Sequence, residues 1–119
     1  MTTPATQTIR LAHIDDIPAG EGREFRVGDR YVAIFHYEGQ FYAIEDVCPH
    51  AGAPLNNGPL YDGTVGCLWH GWRFNLHDGA CINHPRGRDV PIYPITVRDQ
   101  DLYVTLPVDH AVPSEDTEQ

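Results

Sequence analysis

Apolar side chains recur at every second position along much of this chain, with polar ones between them. Ile9 and Leu11 alternate with polar neighbours, and Phe25 and Val27 do the same before Gly28-Asp29. Tyr31, Ala33, Phe35 and Tyr37 form one face of a segment, and Val32 and Ile34 form the other. A period of two built from β-branched and aromatic residues predicts strands, because successive side chains of an extended backbone point to opposite faces. Glu38-Gly39 predicts a turn into a strand over Phe41 to Ile44. Further on, Ile92 to Val97 and Leu102 to Leu106 read as a hairpin around Asp99-Gln100, and Asp62-Gly63 and Asp78-Gly79 mark two more tight turns. No segment carries a sustained helical stripe. Eleven glycines and ten prolines interrupt long helices without reaching the composition of a disordered chain. The expectation is an all-β fold.

The strands near both ends hold most of the core-like pattern. Between them, residues 46–86 are richer in Gly, Pro, His and Cys, and read as a loop-built subdomain mounted on a β framework. The whole chain, 1–119, is expected to be a single domain with a core over about 8–107. Residues 1–7 read as frayed and 108–119 as a flexible tail, since Ser114 to Gln119 is polar and acidic.

Composition narrows the function classes. A chain of 119 residues, 41% of them hydrophobic, can bury one modest core, and a bound metal would help stabilise it. No apolar run approaches the roughly 18 residues of a membrane span. Met1 to Gln7 lacks the basic-then-apolar order of a signal peptide, so a cytoplasmic protein is expected. The formal net charge of −9 argues against nucleic acid as a partner. It suits solubility equally well, or steering toward a basic partner surface. Three cysteines, an odd count, argue for metal or redox chemistry rather than a disulfide scaffold.

The chemistry concentrates in two short runs, Cys48-Pro49-His50 and Cys67-Leu68-Trp69-His70. Each offers one thiolate and one imidazole, both good transition-metal ligands. Brought together, the two runs make a four-ligand site. A structural zinc ion would take such a set, although familiar zinc fingers keep their cysteines together and feed histidines from a helix. Four residues that are merely buried would not explain two matched Cys/His pairs flanked by glycines. A Rieske-type [2Fe–2S] centre, in which two Cys hold one iron and two His the other, uses the same four donors.

The stretches Cys48-Pro49-His50-Ala51-Gly52-Ala53-Pro54-Leu55 and Cys67-Leu68-Trp69-His70-Gly71-Trp72 resemble the two cluster-binding boxes of the Rieske family. The resemblance extends from about Leu11 to Leu106. It implies stacked antiparallel sheets with an inserted cluster-binding subdomain. It also implies one [2Fe–2S] cluster per chain, with Cys48 and Cys67 on the inner iron and His50 and His70 on the outer one. In that role Gly52, Gly66 and Gly71 would point N–H groups at the cluster sulfurs, and Trp69, Trp72, Leu55 and Leu68 would exclude water. Pro85 resembles the proline of a third, covering loop, with His84 beside it. Cys81 is expected to be a small buried residue rather than a ligand. His13, His36, His77 and His110 are expected at the surface.

Departures from the respiratory members of that family bear on function. The positions of their bracing disulfide hold Ala53 and Trp69 here, and the positions of two hydroxyl donors to sulfur hold Trp72 and Phe74. Fewer hydrogen bonds to sulfur imply a low potential. The chain resembles the ferredoxin components of ring-hydroxylating dioxygenases. Such a protein would be an electron carrier and not itself an enzyme, with a flavoprotein reductase and a terminal oxygenase as transient partners. The alternatives are a Rieske-like small subunit of an assimilatory nitrite reductase and, from another class, a zinc-stabilised binding module without a redox role.

Overall fold

The computed structural model describes residues 6–49, 52–69, 71–84 and 87–107. Its centre is β3 (Arg30–Tyr37), where four consecutive residues, Val32, Ala33, Ile34 and Phe35, are wholly buried. A strand is apolar at both parities only when both of its faces are covered. β3 lies between β2 (Gly22–Val27) and β4 (Gln40–Glu45), and β8 (Ile92–Tyr93) extends the sheet in the order β2-β3-β4-β8. On one face Val32, Ile34, Ala43 and Tyr93 meet Ala12, Leu102, Val104 and Leu106. These four come from a second sheet, in which β10 (Asp101–Pro107) lies between β1 (Thr6–His13) and β9 (Ile95–Arg98). On the other face Ala33, Phe35 and Ile44 join Cys48, Ala53, Leu55, Val65, Cys67, Phe74, Leu76 and Val90. That second core includes the third sheet, made of β5 (Leu60–Tyr61), β6 (Thr64–Gly66) and β7 (Arg73–Asn75). Every strand pair described is antiparallel. The expected all-β architecture of stacked antiparallel sheets is therefore present.

The turn residues explain the registers. Glu38-Gly39, Asp62-Gly63 and Asp99-Gln100 are two-residue links with both φ angles positive, from 51° to 81°. That conformation matches the twist of the strands it joins.

Four local features depart from the pattern read above. Ile92 to Val97 is not one strand: Pro94, which has no N–H to give a ladder, separates β8 from β9, and the chain changes sheet there. Leu11 sits at a bulge in β1, so that Ala12 rather than Leu11 is the fully buried residue. Thr6 and Gln7 are not frayed but pair with Pro107 and Leu106. A single 3₁₀ turn, Ile14–Asp16, is capped by His13, whose Nδ1 accepts from the Asp15 N–H while its own N–H donates to Asp16. Among the described residues no helix is long and apolar enough to cross a membrane. Residues 108–119 lie outside the described residues, as does His110.

Candidate metal centre

Both cysteine runs follow directly from strands. β4 ends at Glu45, three residues before Cys48, and β6 ends at Gly66, immediately before Cys67. The two loops that follow share one construction. In the first, the Cys48 N–H donates to the Ala53 carbonyl at 2.7 Å and the Gly52 N–H donates to the Cys48 carbonyl at 2.8 Å. In the second, the Cys67 N–H donates to the Trp72 carbonyl at 2.7 Å and the Gly71 N–H to the Cys67 carbonyl at 2.9 Å. The sequence offsets are the same in both. Gly52 and Gly71 sit at φ +72° and +73°, and a Cβ on either would meet nothing within 4 Å. The left-handed backbone, not crowding, is what calls for glycine there.

Cys48 and Cys67 are 1% and 3% exposed, lie in the same apolar core, and are not joined in a disulfide. His50 and His70, the other two predicted ligands, lie outside the described residues. In sequence each stands between the cysteine and the glycine that closes its loop. Among the described residues no three His, Cys, Asp or Glu side chains are grouped to hold a metal ion.

The glycines act differently from expectation. The N–H groups of Gly52 and Gly71 close their own loops, and the Gly66 N–H donates to the Pro59 carbonyl at 3.0 Å. None of the three is a free donor for a sulfur. The close backbone approach is instead at Gly58, where a Cβ would lie 1.9 Å from the Gly66 carbonyl oxygen. The water-excluding set also divides. Leu55 is fully buried and Trp72 partly so, but Leu68 and Trp69 are 59% and 64% exposed. Those two present apolar surface to solvent.

The sequence reading missed Asp46. Its side chain is 2% exposed, yet it is fully engaged. Oδ1 accepts from the Leu55 N–H at 2.6 Å and the Asn56 N–H at 2.7 Å, and Oδ2 accepts from Asn56 Nδ2 at 2.7 Å. A carboxylate at the end of β4 thus ties down the far end of the first loop. A hydrogen bond with Asp46 also raises the pKa of the Glu24 carboxyl on β2, with burial and the Asp46 charge acting in the same direction.

The second loop is held from residues 81–84. Asn83 Oδ1 accepts from the Arg73 N–H at 2.9 Å, and Asn83 Nδ2 donates to the Gly71 carbonyl at 2.9 Å. The Ile82 N–H donates to the Arg73 carbonyl at 2.9 Å. His84 stacks on Trp72, with ring centroids 4.5 Å apart. The Arg73 guanidinium lies 3.3 Å over the Tyr61 ring and donates to the Tyr61 carbonyl and to the buried Thr64 hydroxyl. Pro85, the predicted covering proline, is outside the described residues. Cys81 is half-buried rather than buried, and its Sγ lies 2.2 Å from where a Cβ on Gly87 would be, so Gly87 must remain small. His36 is not a free surface residue either: its Nδ1 bonds to the Ile17 carbonyl at 2.9 Å and its ring stacks on Phe41.

Comparison with known proteins agrees with this geometry. The Rieske [2Fe–2S] domain family matches residues 7–94. The 3-phenylpropionate/cinnamic acid dioxygenase ferredoxin subunit of Photorhabdus laumondii is 33% identical over 94 residues, which is 78% of this chain and 89% of the relative. A solved complex of reduced oxygenase and oxidized ferredoxin of carbazole 1,9a-dioxygenase contains a chain that superposes with a TM-score of 0.75 at 30% identity, covering 82% of this chain and 91% of that one. A protein proposed as the NADH-dependent nitrite reductase small subunit of Mycobacterium tuberculosis superposes with a TM-score of 0.74 at 27% identity, covering 93% of this chain and 100% of that one. With two like-built cysteine loops on stacked antiparallel sheets, and a family match spanning both, this chain belongs to the Rieske [2Fe–2S] domain family, and its cofactor is a [2Fe–2S] cluster.

Proposed function

We propose that Cys48, His50, Cys67 and His70 hold the cluster, the cysteines on one iron and the histidines on the other. The observation that carries this reading is the shared construction of the two loops, each of which begins at a buried cysteine in the same core. A donor set of two thiols and two imidazoles fits a Rieske centre, and it supplies reversible one-electron chemistry when the cluster is bound. The chain's own residues bury the thiol side, fix the two loops and keep water from the Cys48–Cys67 core.

The function is that of a soluble one-electron carrier that takes electrons from a flavoprotein reductase and hands them to a terminal oxygenase. The chain is an electron-transfer component, and the oxygen chemistry belongs to its partner. The likeness to the dioxygenase ferredoxin relative and to the oxygenase–ferredoxin complex supports this. The exposed Leu68 and Trp69, adjoining His70 in sequence, suit transient docking: a small apolar contact gives close approach, and the acidic chain provides steering. A cytoplasmic location goes with this reading. The nitrite reductase small subunit is the second reading, favoured by the coverage of the Mycobacterium tuberculosis structure.

Reconstitution separates the readings. Purified protein should be coloured, accept one electron per chain from a flavoprotein reductase, and restore turnover of a ring-hydroxylating oxygenase that lacks its ferredoxin. Transfer to a nitrite reductase but not to any oxygenase would select the second reading. A colourless protein with one zinc per chain would end both.

A further inference from the structure

We propose that Asn83 is a positioning residue that latches the segment 81–84 onto the second ligand loop and so sets how tightly the cluster is retained. The proposal rests on the assignment of Cys67 and His70 as ligands. Each loop is closed internally by the same two backbone bonds, but their external supports differ. The first is held by a buried carboxylate, Asp46, next to the strand from which the loop departs. Among the described residues no carboxylate holds the second in this way: the Arg73 side chain bonds to the Tyr61 carbonyl and the Thr64 hydroxyl, and Asn83, ten to twelve residues along the chain, bonds to the loop backbone itself.

Asn83 uses both ends of its amide. One end accepts from the N–H of Arg73 and the other donates to the carbonyl of Gly71, so the residues on either side of Trp72 are held by one side chain. The neighbouring His84 ring covers the Trp72 ring, and the Ile82 N–H ties back to Arg73. Residues 82–84 thus meet 71–73 through three hydrogen bonds and one stack. Asn83 itself is exposed, which makes it a poor candidate for a core-stabilising residue and a good one for a local latch. Each of its two hydrogen bonds is worth about a fivefold shift in a local opening equilibrium, so removing both should favour opening about 25-fold.

The test uses the cluster-loaded protein. Iron release to a chelator is followed by visible absorbance in wild type, Asn83→Ala, Asn83→Asp and the control Asn75→Ala. The control loses a comparable bond, from the His77 N–H to Asn75 Oδ1, in the neighbouring turn. Asn83→Ala should release iron about 25-fold faster than wild type, by the arithmetic above. Asn83→Asp keeps the acceptor for Arg73 and sets a carboxylate oxygen against the Gly71 carbonyl, so it should also release faster. Asn75→Ala should match wild type. In the wild type, the amides of Arg73 and Ile82 should exchange hydrogen at a common rate, as one opening unit, and this readout survives failure of any variant to fold.

Release rates that simply follow the loss of global melting temperature across all variants would overturn the proposal. So would unequal Arg73 and Ile82 exchange. Cluster retention in Cys67→Ala would instead refute the ligand assignment, an outcome that leaves a different signature from either of these.

Discussion

Replacing Asp46 by alanine would strand three donors at once. The Leu55 N–H is wholly buried, and without its 2.6 Å partner it keeps the full cost of desolvation, about 1–3 kcal/mol. The Asn56 N–H and side-chain amide are only part-buried, so water can replace some of what they lose. Removing the carboxylate also relieves the cost of burying its charge. The net loss should be about 3 kcal/mol, near the lower end for breaking a buried charged network. That is a large share of the 5–15 kcal/mol typical of a small domain. Asp46→Asn keeps one oxygen for the two N–H groups, and the Asn56 amide can rotate to meet the new NH₂, so it should cost about 1 kcal/mol. The assay is denaturant unfolding followed by far-UV circular dichroism, with visible absorbance reporting the cluster on the same samples. The expected order of stability is wild type, then Asp46→Asn, then Asp46→Ala, with cluster loss ahead of global unfolding in the alanine variant. An alanine variant as stable as wild type would refute the reasoning, and so would an asparagine variant as damaged as the alanine one.

Other expectations follow from the same site. With Trp72 and Phe74 at the hydroxyl-donor positions, and the Gly52, Gly66 and Gly71 N–H groups committed to carbonyls, the midpoint potential should lie near the low end of the Rieske range, at about −150 mV; a voltammetric value near +300 mV would contradict this. Glu24 has a raised pKa in the folded state, so its contribution is present below its unfolded pKa and is lost as pH rises through the folded one. Glu24→Gln supplies a permanent donor, and should flatten the acid side of the melting-temperature profile and raise stability at neutral pH; identical profiles would remove that hydrogen bond from the account. Trp69→Ala should slow reduction by the cognate reductase while leaving absorbance and potential unchanged, and added salt should slow wild-type reduction, because charges further apart than about 10 Å are screened at 0.1 M. Unchanged rates in both experiments would move the docking face elsewhere.

The legibility of this chain follows burial geometry. β3 was readable because both faces are covered, leaving two interleaved apolar series, and the two-residue turns were readable because each holds a Gly or Asp, types that suit positive φ. The bulge at Leu11 and the change of sheet at Pro94 depend on partners that only tertiary structure supplies. β5, β6 and β7, of two or three residues each, are too short to show a period, so the subdomain looked built of loops alone. The cysteine runs stood out because metal ligation uses few residue types. Asp46 and Asn83 did not, because a lone Asp or Asn in a loop reads as a turn residue, and their partners lie nine to twelve positions away. The glycines were visible, but the acceptors of their N–H groups were not.

The central claim is that the cluster is held by two cysteines and two histidines, and pulsed electron paramagnetic resonance of the reduced protein addresses it most directly. The account predicts couplings from two imidazole nitrogens, one lost in His50→Cys and the other in His70→Cys, in protein containing two irons and two labile sulfides per chain. A reduced cluster with no nitrogen coupling, or one that keeps both couplings in either variant, would contradict it.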